Sequence, residues 1–481
     1  MFRTSWFPWR SLRWRNGSPR HLSSSRAGRR HSPLILEPLE DRTALSNFNA
    51  ATVADLIAYI NAANAAGGTN TITLTAPTTS PYDLTAVDNT TDGPTGLPVI
   101  TGGSKPDTLT IIGNGDTIER STIQILQNRK AGPPPNFRLF DVAGGASLTL
   151  DNVTLQNGLA FGYGAVGGAI LNQGTLVLNG VTVQDNIAQG SDGANGTRKQ
   201  PFGLLGQYGA GGGIYSSGSL TLENGSQILN NQALGGNGGS GYEQGYTGGN
   251  GGDGVGGGVV VFGSMTITNS TVGSNLARGG LAEAGQVYGY APGSPGAGVG
   301  GGIFVNASGT VMVTSVNVVS NQAYGGNGMG PGGGGGIEIE GGTVTLSNVT
   351  VQGNGVVGIG ISGGTVTLSN SIVQGNGGDI GGGVSISGGV VTLSNDTFES
   401  NSPSTDGGGI YIDGGTVTLC NDIVESNTAF GVGGGIRIFS GFGATVYIDS
   451  FTVAHTINNT DSSGLNGPTA NIDGTYILKN C

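Results

Sequence analysis

The sequence predicts an all-β fold, a right-handed parallel β-helix with a capping helix at its N-terminal end. Three observations predict it: a short motif that recurs along the chain, an alternation of aliphatic residues within each copy, and asparagines at a fixed place in every copy. The motif is clearest in 358–377, GIGISGGTVTLSNSIVQGNG, where glycine and asparagine separate three short runs of β-type residues. Successive copies in the second half are offset by 22, 25 and 26 residues. A helix-free unit of this length cannot bury an apolar face alone, so it must stack on its neighbours.

The period-2 pattern predicts which side chains face the interior. In the run Thr365–Leu368, Val366 and Leu368 point to one side and the threonines point to the other. The strand after the glycines supplies a second inward pair, Ile359 and Ile361. Both pairs recur in the neighbouring copies, as Val344/Leu346, Val391/Leu393 and Val417/Leu419, and as Ile337/Ile339, Val384/Ile386, Ile410/Ile412 and Ile436/Ile438. Three strands per turn, each about 4.8 Å from its counterpart in the next turn, make a parallel β-helix.

Two sets of asparagines punctuate the coils. Stacking places the members of each set above one another: Asn348, Asn370, Asn395 and Asn421 in one, and Asn354, Asn376, Asn401 and Asn427 in the other. Asparagine amides can hydrogen-bond along such a stack, and asparagine tolerates the left-handed backbone of a tight corner. We therefore expect two structural ladders rather than catalytic asparagines.

The composition excludes several other classes of protein. The chain has 481 residues, 97 of them glycine, without the three-residue period of collagen. Its two cysteines exclude a disulfide framework. Cys420 stands where other copies have serine, so we interpret it as a small-residue substitution; the alternative is a bond to Cys481. No run of 18 apolar residues exists, so the sequence predicts no transmembrane helix.

The N-terminal region is basic, whereas the whole chain has a net charge of −11. Residues 1–30 carry eight arginines and no acid, which could suggest nucleic-acid binding. No nucleic-acid module follows and the body is acidic, so a targeting leader is the better interpretation and no nucleic-acid partner is expected. This leader lacks the apolar core of an ordinary secretory signal. We expect residues 1–46 to be mostly disordered.

One helical pattern precedes the repeats. Val53, Leu56, Ile57 and Ile60 fall on one face of a helix that Thr52 and Asp55 would cap, within a capping segment 47–69. Such a helix would cover the open end of the stack, whose unpaired backbone otherwise invites aggregation. The β-helix is predicted to begin with a first strand at 70–74 and to occupy residues 70–460. Residues 461–481 form a C-terminal tail or cap.

Coils in the first half are longer, with steps of 44, 45 and 46 residues. The excess always lies after the second asparagine corner, in four glycine-rich loops: Gln189–Ala210, Leu234–Val255, Arg278–Val299 and Tyr324–Pro331. The sequence predicts structureless loops that leave one corner and gather into one patch. The patch carries five tyrosines: Tyr208, Tyr242, Tyr246, Tyr288 and Tyr290. Tyrosine offers a large amphipathic contact area at low entropic cost, as in known binding loops. We therefore expect residues 189–331 to contact a glycan or an envelope protein. The alternative is flexible inserts without a ligand.

Several motifs resemble those of known proteins. Gly167-Gly168-Ala169-Ile170, Gly408-Gly409-Ile410 and Phe398-Glu-Ser-Asn401 resemble the paired motifs of polymorphic outer-membrane proteins. Residues 36–46 resemble the L-E-P-L-E-D-R motif of planctomycete-type exported proteins. The resemblance implies a right-handed, pectate-lyase-like β-helix that is exported to the cell surface, the outer membrane or the extracellular space. The usual C-terminal transport barrel of that family has no counterpart in the sequence.

Many β-helices cleave acidic polysaccharides, and the sequence offers a few candidate acids and bases for such chemistry. Asp413, Arg437 and Tyr411 are expected on one outward face. Two acid pairs occupy equivalent slots of adjacent coils, Asp396 with Asp422 and Glu399 with Glu425. Stacked carboxylates can hold a cation or raise each other's pKa. The alternative, which we favour, is solvated corner residues that rotate apart. His455 lies past the last regular corner and is expected at the surface.

The nonapeptide 248–256, GGNGGDGVG, fits a calcium-binding repeat. Such sites need tandem copies, and the neighbouring glycine-rich loops do not provide them. The sequence therefore assigns no catalytic, cofactor or metal residue. Two function classes stay open. The first is an exported, non-enzymatic surface adhesion or envelope component. The alternative is a carbohydrate-active enzyme, either a polysaccharide lyase or a glycoside hydrolase.

Overall fold

The structure, a computed structural model, describes residues 46–101, 107–123, 125–127, 130–242, 246–283, 293–326, 333–378, 380–467 and 469–481. The predicted leader and nearly all of the export motif lie outside the described residues, so both stay predictions. The described chain winds into a parallel β-helix, which confirms the predicted fold class. Three sheets run along its length.

Sheet 1 contains the threonine-rich strands. Each strand pairs in parallel with its counterpart one coil away, as Leu368 pairs with Leu393. Its strands are Ser46–Ala50, Gly68–Leu74, Asp107–Ile112, Ser147–Asp151, Thr175–Asn179, Ser219–Glu223, Ser264–Thr268, Thr365–Ser369, Val390–Ser394, Thr416–Cys420, Thr445–Ile448 and Ile477–Leu478, with the second parts of Ile303–Thr314 and Ile337–Ser347.

Sheet 2 contains the strands that follow the glycines of each coil. They are Phe140–Val142, Ile170–Asn172, Ile214–Ser216, Val259–Val261, the first parts of Ile303–Thr314 and Ile337–Ser347, then Ile359–Ile361, Val384–Ile386, Ile410–Ile412, Ile436–Ile438 and Ile472–Asp473. The two long strands continue from sheet 2 into sheet 1, so the two sheets join there.

Sheet 3 follows the first corner of each coil. Its strands are Tyr82–Leu84, Thr117–Arg120, Thr154–Gln156, Thr182–Gln184, Gln227–Leu229, Thr271–Gly273, Asn317–Val319, Thr350–Gln352, Ile372–Gln374, Thr397–Glu399, Ile423–Glu425 and Thr456–Ile457. Short pairs lie outside the three sheets: Gly377–Gly378 with Ser402–Pro403 in parallel, and the antiparallel hairpins Ile125–Gln127 with Lys130–Gly132 and Thr460–Asp461 with Gly464–Leu465.

The interior is one continuous aliphatic core. Val366, Leu368, Ile359 and Ile361 are at most 3% exposed, as the two-residue alternation predicts. The same core cluster extends from Ala50 to Ile448. Burying each such side chain contributes roughly 1.5–3 kcal/mol before the opposing chain entropy. The core therefore drives the stacking of every coil.

The second asparagine corner forms the predicted ladder. Asn354 Nδ2 and backbone N–H both donate to Asn376 Oδ1, at 2.9 and 3.0 Å. The ladder continues through buried asparagines in both directions: Asn186, Asn231, Asn275, Asn321, Asn354, Asn376, Asn401, Asn427 and Asn459. Each amide thereby satisfies polar groups that water cannot reach.

The first asparagine corner does not form the predicted side-chain ladder. Asn348 and Asn370 have φ of 54° and 52°, so the left-handed backbone is confirmed. Their side chains are exposed, however, and Asn348 Nδ2 donates to the adjacent Ser347 Oγ at 3.3 Å. The corner turns these side chains toward water. The residue that follows each asparagine points inward instead.

The capping helix α1 runs from Val53 to Ala66. Thr52 and Asp55 form a reciprocal capping box, and Leu56 and Ile60 are fully buried in the core. The prediction of the first strand at 70–74 was wrong in one respect, because Ser46–Ala50 precedes the helix and pairs in parallel with Gly68–Leu74. The sequence of that strand, SNFNA, contains two asparagines and only one large apolar residue, so it shows no clear alternation of aliphatic and polar residues.

The C-terminal residues add one incomplete coil. Ile472–Asp473 pairs with sheet 2 and Ile477–Leu478 pairs with sheet 1. A short helix, α2 (Ser450–Ala454), and a 3-10 turn (Ser440–Phe442) interrupt the preceding coil. Cys420 and Cys481 are joined by a disulfide, with their Cα atoms 6.0 Å apart. The interpretation of Cys420 as a simple substitution was therefore wrong, and the bond holds the chain terminus on the last coils.

Candidate functional site

The glycine-rich inserts form an ordered stack on one side of the β-helix. We call the inserts 190–210, 234–255 and 278–299 the wing; 243–245 and 284–292 lie outside the described residues. Parallel strands bound the inserts on both sides: Leu159–Gly162, Ile187–Gly190, Gln232–Leu234, Leu276–Arg278 and Gln322–Tyr324 before them, and Ala165–Val166, Gly209–Ala210, Gly254–Val255 and Gly298–Val299 after them. All inserts leave one corner, as predicted.

Hydrogen bonds join each insert to the insert of the next coil. Gly193 N donates to Asn237 O at 2.7 Å, Gly206 N to Asn250 O at 2.9 Å, and Gly251 N to Ser294 O at 3.0 Å. Others join the outgoing and returning arms of one insert, such as Gly249 N to Gly239 O at 2.8 Å. The prediction of structureless loops was therefore wrong for the described parts of the wing.

Glycine permits this packing because the backbones lie too close for side chains. A Cβ on Gly203 would lie 1.8 Å from Gly239 O, and one on Gly206 would lie 2.0 Å from Gly236 O. Neither glycine has a positive φ, so space rather than backbone freedom requires it. Glycine at every third position with bonds only between segments is typical of packed polyproline II-type chains. The period is visible in the sequence of the first insert, at Gly190, Gly193 and Gly196, whereas doubled glycines obscure it in the second.

A ladder of Asp and Asn side chains braces the wing. Asp192 Oδ1 accepts the N–H of Asn237 at 2.7 Å, and Asn250 Oδ1 accepts that of Ser294 at 2.8 Å. Asp253 Oδ1 accepts the N–H of Ala297 at 2.7 Å. Asp253 is the aspartate of the calcium-type nonapeptide 248–256, so the structure gives it a bracing role. Within the described ranges, no cluster of three or more metal-binding side chains occurs.

The outer face of the wing carries a groove of about 370 Å³. It is lined by Leu205 and Tyr208 from the first insert, Asn250 and Asp253 from the second, and Pro295 from the third. Exposed aromatic residues continue the face, since Phe202 and Tyr246 lie edge to face 5.5 Å apart and Tyr242 is also exposed. Of the five predicted tyrosines, Tyr288 and Tyr290 lie outside the described residues.

A second concave site lies on the outward face of sheet 2. Successive coils there place Phe304, Glu338, Gly360, Ser385 and Tyr411 in register. The two small residues leave a gap between Glu338 and Tyr411. We call this gap the hollow; its volume is about 320 Å³, and its lining includes Val356, Ile380 and Asp413.

Glu338 is the most buried acid of the hollow, at 8% exposure. Its Oε2 accepts the N–H of Gly334 at 2.6 Å. Burial raises the pKa of the Glu338 carboxyl, the Gly334 N–H opposes that rise, and the charge of Glu340 adds to it. Burial likewise raises the pKa of Asp413. Sequence reasoning missed Glu338 because an outward position on a strand is expected to be solvated.

The predicted group of Asp413, Tyr411 and Arg437 is only partly assembled. Tyr411 pairs in register with Arg437 on sheet 2, as expected for one outward face. Arg437 forms its ion pair with Asp473 of the next coil, and its guanidinium carbon lies 5.8 Å from the centre of the Phe439 ring. Asp413 and Tyr411 line the hollow instead. Arg437, the cation that lyase chemistry would require, is therefore ion-paired with Asp473 and not with Asp413.

The stacked aspartates are buried structural groups, so the preferred interpretation of solvated, separated acids was wrong. Asp396 Oδ1 accepts the N–H of Ser371 at 2.8 Å, and Asp422 Oδ1 accepts that of Asp396 at 2.9 Å. Burial raises the pKa of Asp396 to about 7, although hydrogen bonds from the backbone N–H groups of Ser371 and Ser394 oppose the rise. Burial also raises the pKa of Asp422 to about 8, and the charge of Asp396 adds to the rise.

Two other predicted candidates have simple surroundings. Glu399 and Glu425 are half-buried and paired in register on sheet 3. His455 is half-buried at the end of α2, with its ring stacked on Phe451 at 3.8 Å. Its Nδ1 lies 2.8 Å from Phe451 O.

Comparison of the chain with protein-family models, with curated proteins and with solved structures gives no match. Within the described ranges, no helix has both the length and the apolar character to cross a bilayer. The resemblance to outer-membrane repeat proteins is therefore carried by the motifs alone.

Proposed function

We propose that the protein is an exported, non-enzymatic surface or envelope component whose wing binds a glycan. The observation that carries the proposal is the groove across the wing, where three coils contribute Tyr208, Asn250, Asp253 and Pro295 to one surface. Tyrosine offers an apolar face with a polar tip, and amide and carboxylate groups bond hydroxyls. Contact with an envelope protein is the other outcome that such a surface allows.

Export is supported by two independent features. The Cys420–Cys481 disulfide suits an oxidising compartment, because cytosolic thiols are normally kept reduced. The export-type motif at residues 36–46 points the same way. A surface location follows from the motif resemblance, and fractionation of cells with detection of the chain would test it directly.

The rigidity of the wing supports a binding role. Its backbone is held by hydrogen bonds between coils, so the exposed Leu205 and Tyr208 are presented without ordering a flexible loop. Preorganised surfaces lose less entropy on binding. Contiguous exposed apolar surface of this kind marks interaction sites in soluble proteins.

The test is binding of the purified protein to isolated cell-wall and envelope fractions, before and after glycosidase treatment. The double variant Leu205→Ser/Tyr208→Ser should reduce retention about ten-fold, because the groove loses both apolar contacts. Phe430→Ser is the matched control, since Phe430 is exposed in a coil without an insert. Equal retention of both variants would contradict the role of the wing, and binding that survives glycosidase but not protease would favour a protein partner.

A second candidate function, glycoside hydrolysis, is favoured by the two carboxyls of the hollow. The Glu338 carboxylate lies over Gly360, two coils or about 10 Å from the coil of Asp413. This spacing between coils is close to the roughly 6.5–9.5 Å that separates the acid and base of inverting hydrolases. Glu338 would give its proton to the leaving oxygen while Asp413 accepts one from the attacking water.

Release of reducing ends from uncharged polysaccharides tests this candidate. Activity that disappears in both Glu338→Gln and Asp413→Asn would establish it. No turnover is expected on pectate or alginate, because two carboxyls line the hollow and Arg437 is paired with Asp473. Activity on these uronates that Arg437→Ala abolishes would instead indicate a lyase.

A further inference from the structure

The outward face of sheet 2 has one interruption in its row of large side chains. Phe304 and Glu338 precede it, Tyr411 and Arg437 follow it, and only Gly360 and Ser385 lie between. Two small residues in successive coils leave an opening about 10 Å long. The hollow thus results from two small residues that stack in register on sheet 2.

The floor of the hollow holds a fixed carboxyl group. Glu338 is more than nine-tenths buried, and its Oε2 is fixed by the Gly334 N–H. A Cβ at Gly360 would lie 2.0 Å from that Oε2, so glycine at 360 makes room for the carboxyl. The second oxygen, Oε1, has no hydrogen-bond partner among the described residues, and the side chain lines the hollow. Oε1 is not among the fully buried, unpaired polar atoms of the described residues, so it is accessible from the hollow and can accept a hydrogen bond from a ligand hydroxyl.

The rest of the lining combines apolar walls with polar groups. Val356 and Ile380 contribute aliphatic surface, and Tyr411 contributes an aromatic ring. Ser385 and Ser387 contribute hydroxyls, and Asp413 contributes the second carboxyl. A ligand that fits must therefore present apolar and hydroxyl-bearing faces together.

We propose that the hollow binds one ring of an uncharged saccharide, with its hydroxyls on Glu338, Ser385 and Asp413 and its apolar face on Tyr411. This site is separate from the wing. The proposal deepens the second candidate function, hydrolysis in the hollow, and saturable binding without release of reducing ends would retain the binding site while excluding hydrolysis. The two carboxyls disfavour an acidic sugar. A cation is a poor alternative, because the described part of the chain places no three metal-binding side chains together here.

Calorimetric titration with soluble fragments of cellulose, mannan, xylan and chitin tests the proposal. The wild type should bind at least one of these fragments saturably. Ser385→Phe should weaken that binding about ten-fold or more, because the ring fills the hollow. Phenylalanine already stands at the same register position as Phe304, so the fold tolerates it there. Circular dichroism of the variant checks that it folds.

Three further variants separate the contribution of Glu338 from that of the wing. Glu338→Gln keeps a polar group at the floor and should bind within a few-fold of wild type, whereas Glu338→Leu should lose binding. Leu205→Ser/Tyr208→Ser, which alters only the wing, should leave it unchanged. The proposal is overturned if the wild type binds none of the four fragments, if folded Ser385→Phe binds as tightly as wild type, or if the wing variant alone abolishes binding.

Discussion

The N-terminal and C-terminal halves of the β-helix share one cross-section but stack in two different ways. Coils of 44–46 residues between 180 and 315 carry the wing, whereas coils of 22–26 residues between 348 and 421 have almost no insert. In both halves the three sheets enclose aliphatic side chains. In the wing, hydrogen bonds between backbones replace the aliphatic core. The coils are thus stabilised by the packing of side chains, whereas the wing is stabilised by main-chain hydrogen bonds.

Glycine has different roles in the short coils and in the wing. Gly364, in a short coil, has φ of 86° and allows a corner that side chains disfavour. Gly203, in the wing, has an ordinary φ and allows another backbone to approach. High glycine content here therefore indicates close packing rather than flexibility.

The halves also differ at the buried position after the first corner. Ser226 and Ser270 occupy it in the half that carries the wing, whereas Asp396 and Asp422 occupy it among the short coils. Neutral hydroxyls and ionisable carboxyls make the same hydrogen bonds along the stack. Between residues 180 and 422, only the short coils therefore carry ionisable side chains at this position.

The largest expected effect is the loss of the aliphatic core, which tests whether both halves depend on it equally. Leu368→Asp and Leu222→Asp each place an unpaired charge at a fully buried position of sheet 1. Each should lower the free energy of unfolding by roughly 3–5 kcal/mol, measured by denaturant titration. Thr367→Asp, on the outward side, is the control. A much milder effect at Leu222 would show that the wing holds its half together without the core.

Removal of the disulfide tests how the open end of the short-coil half is held. Cys420→Ser restores the serine found in neighbouring coils and releases a terminus that is 61 residues away in sequence. Loop-closure entropy predicts a loss of up to about 4 kcal/mol. Denaturation of the wild type with and without reductant should reproduce the difference. If reduction leaves the unfolding midpoint unchanged, the incomplete last coil is held by its strand pairs alone.

The coils were predictable from the sequence because their order depends on side-chain periodicity. Val366 and Leu368 alternate as a half-buried strand must, and the capping box of Thr52 and Asp55 has a local signature. The wing was not predictable in this way, since its order depends on contacts between segments some 45 residues apart. Glu338 was missed for a related reason. Its burial arises from Gly360 in the next coil, not from its own strand.

The aspartate ladder predicts a pH dependence that comes mainly from the short-coil half, because Asp141 in the other half has a lower pKa, of about 6. The pKa of Asp396 is about 7 and that of Asp422 about 8 in the folded chain, both above the ordinary 3.8. Between pH 4 and 8 the folded state therefore binds more protons than the unfolded state, and the free energy of unfolding falls as pH rises. The fall should be on the order of a few kcal/mol. Denaturation at pH 5 and 8.5 measures it.

The double variant Asp396→Ser/Asp422→Ser is the control for that prediction. It gives the short coils the serine of Ser226 and Ser270, so most of the fall between pH 5 and 8.5 should vanish. An unchanged slope in the variant would assign the pH dependence to other groups, and a stability that rises with pH would reverse its sign.

The smallest expected effect concerns the wing itself, where one methyl group separates close packing from loose packing. Gly203→Ala places a Cβ 1.8 Å from Gly239 O, whereas the matched variant Gly144→Ala has nothing within 4 Å. Overpacking should cost about 1–3 kcal/mol in the wing, and the aliphatic core should keep the coils folded. Arg198 and Lys199 near the tip of the wing are exposed, but their backbone is held in a turn between Thr197 and Gln200. Opening of the wing frees that backbone, so trypsin should cut there about ten-fold faster in Gly203→Ala. Gly144→Ala should match wild type. If both variants resist trypsin equally, the main-chain stack is looser than the hydrogen bonds indicate, and the contrast between the halves fails.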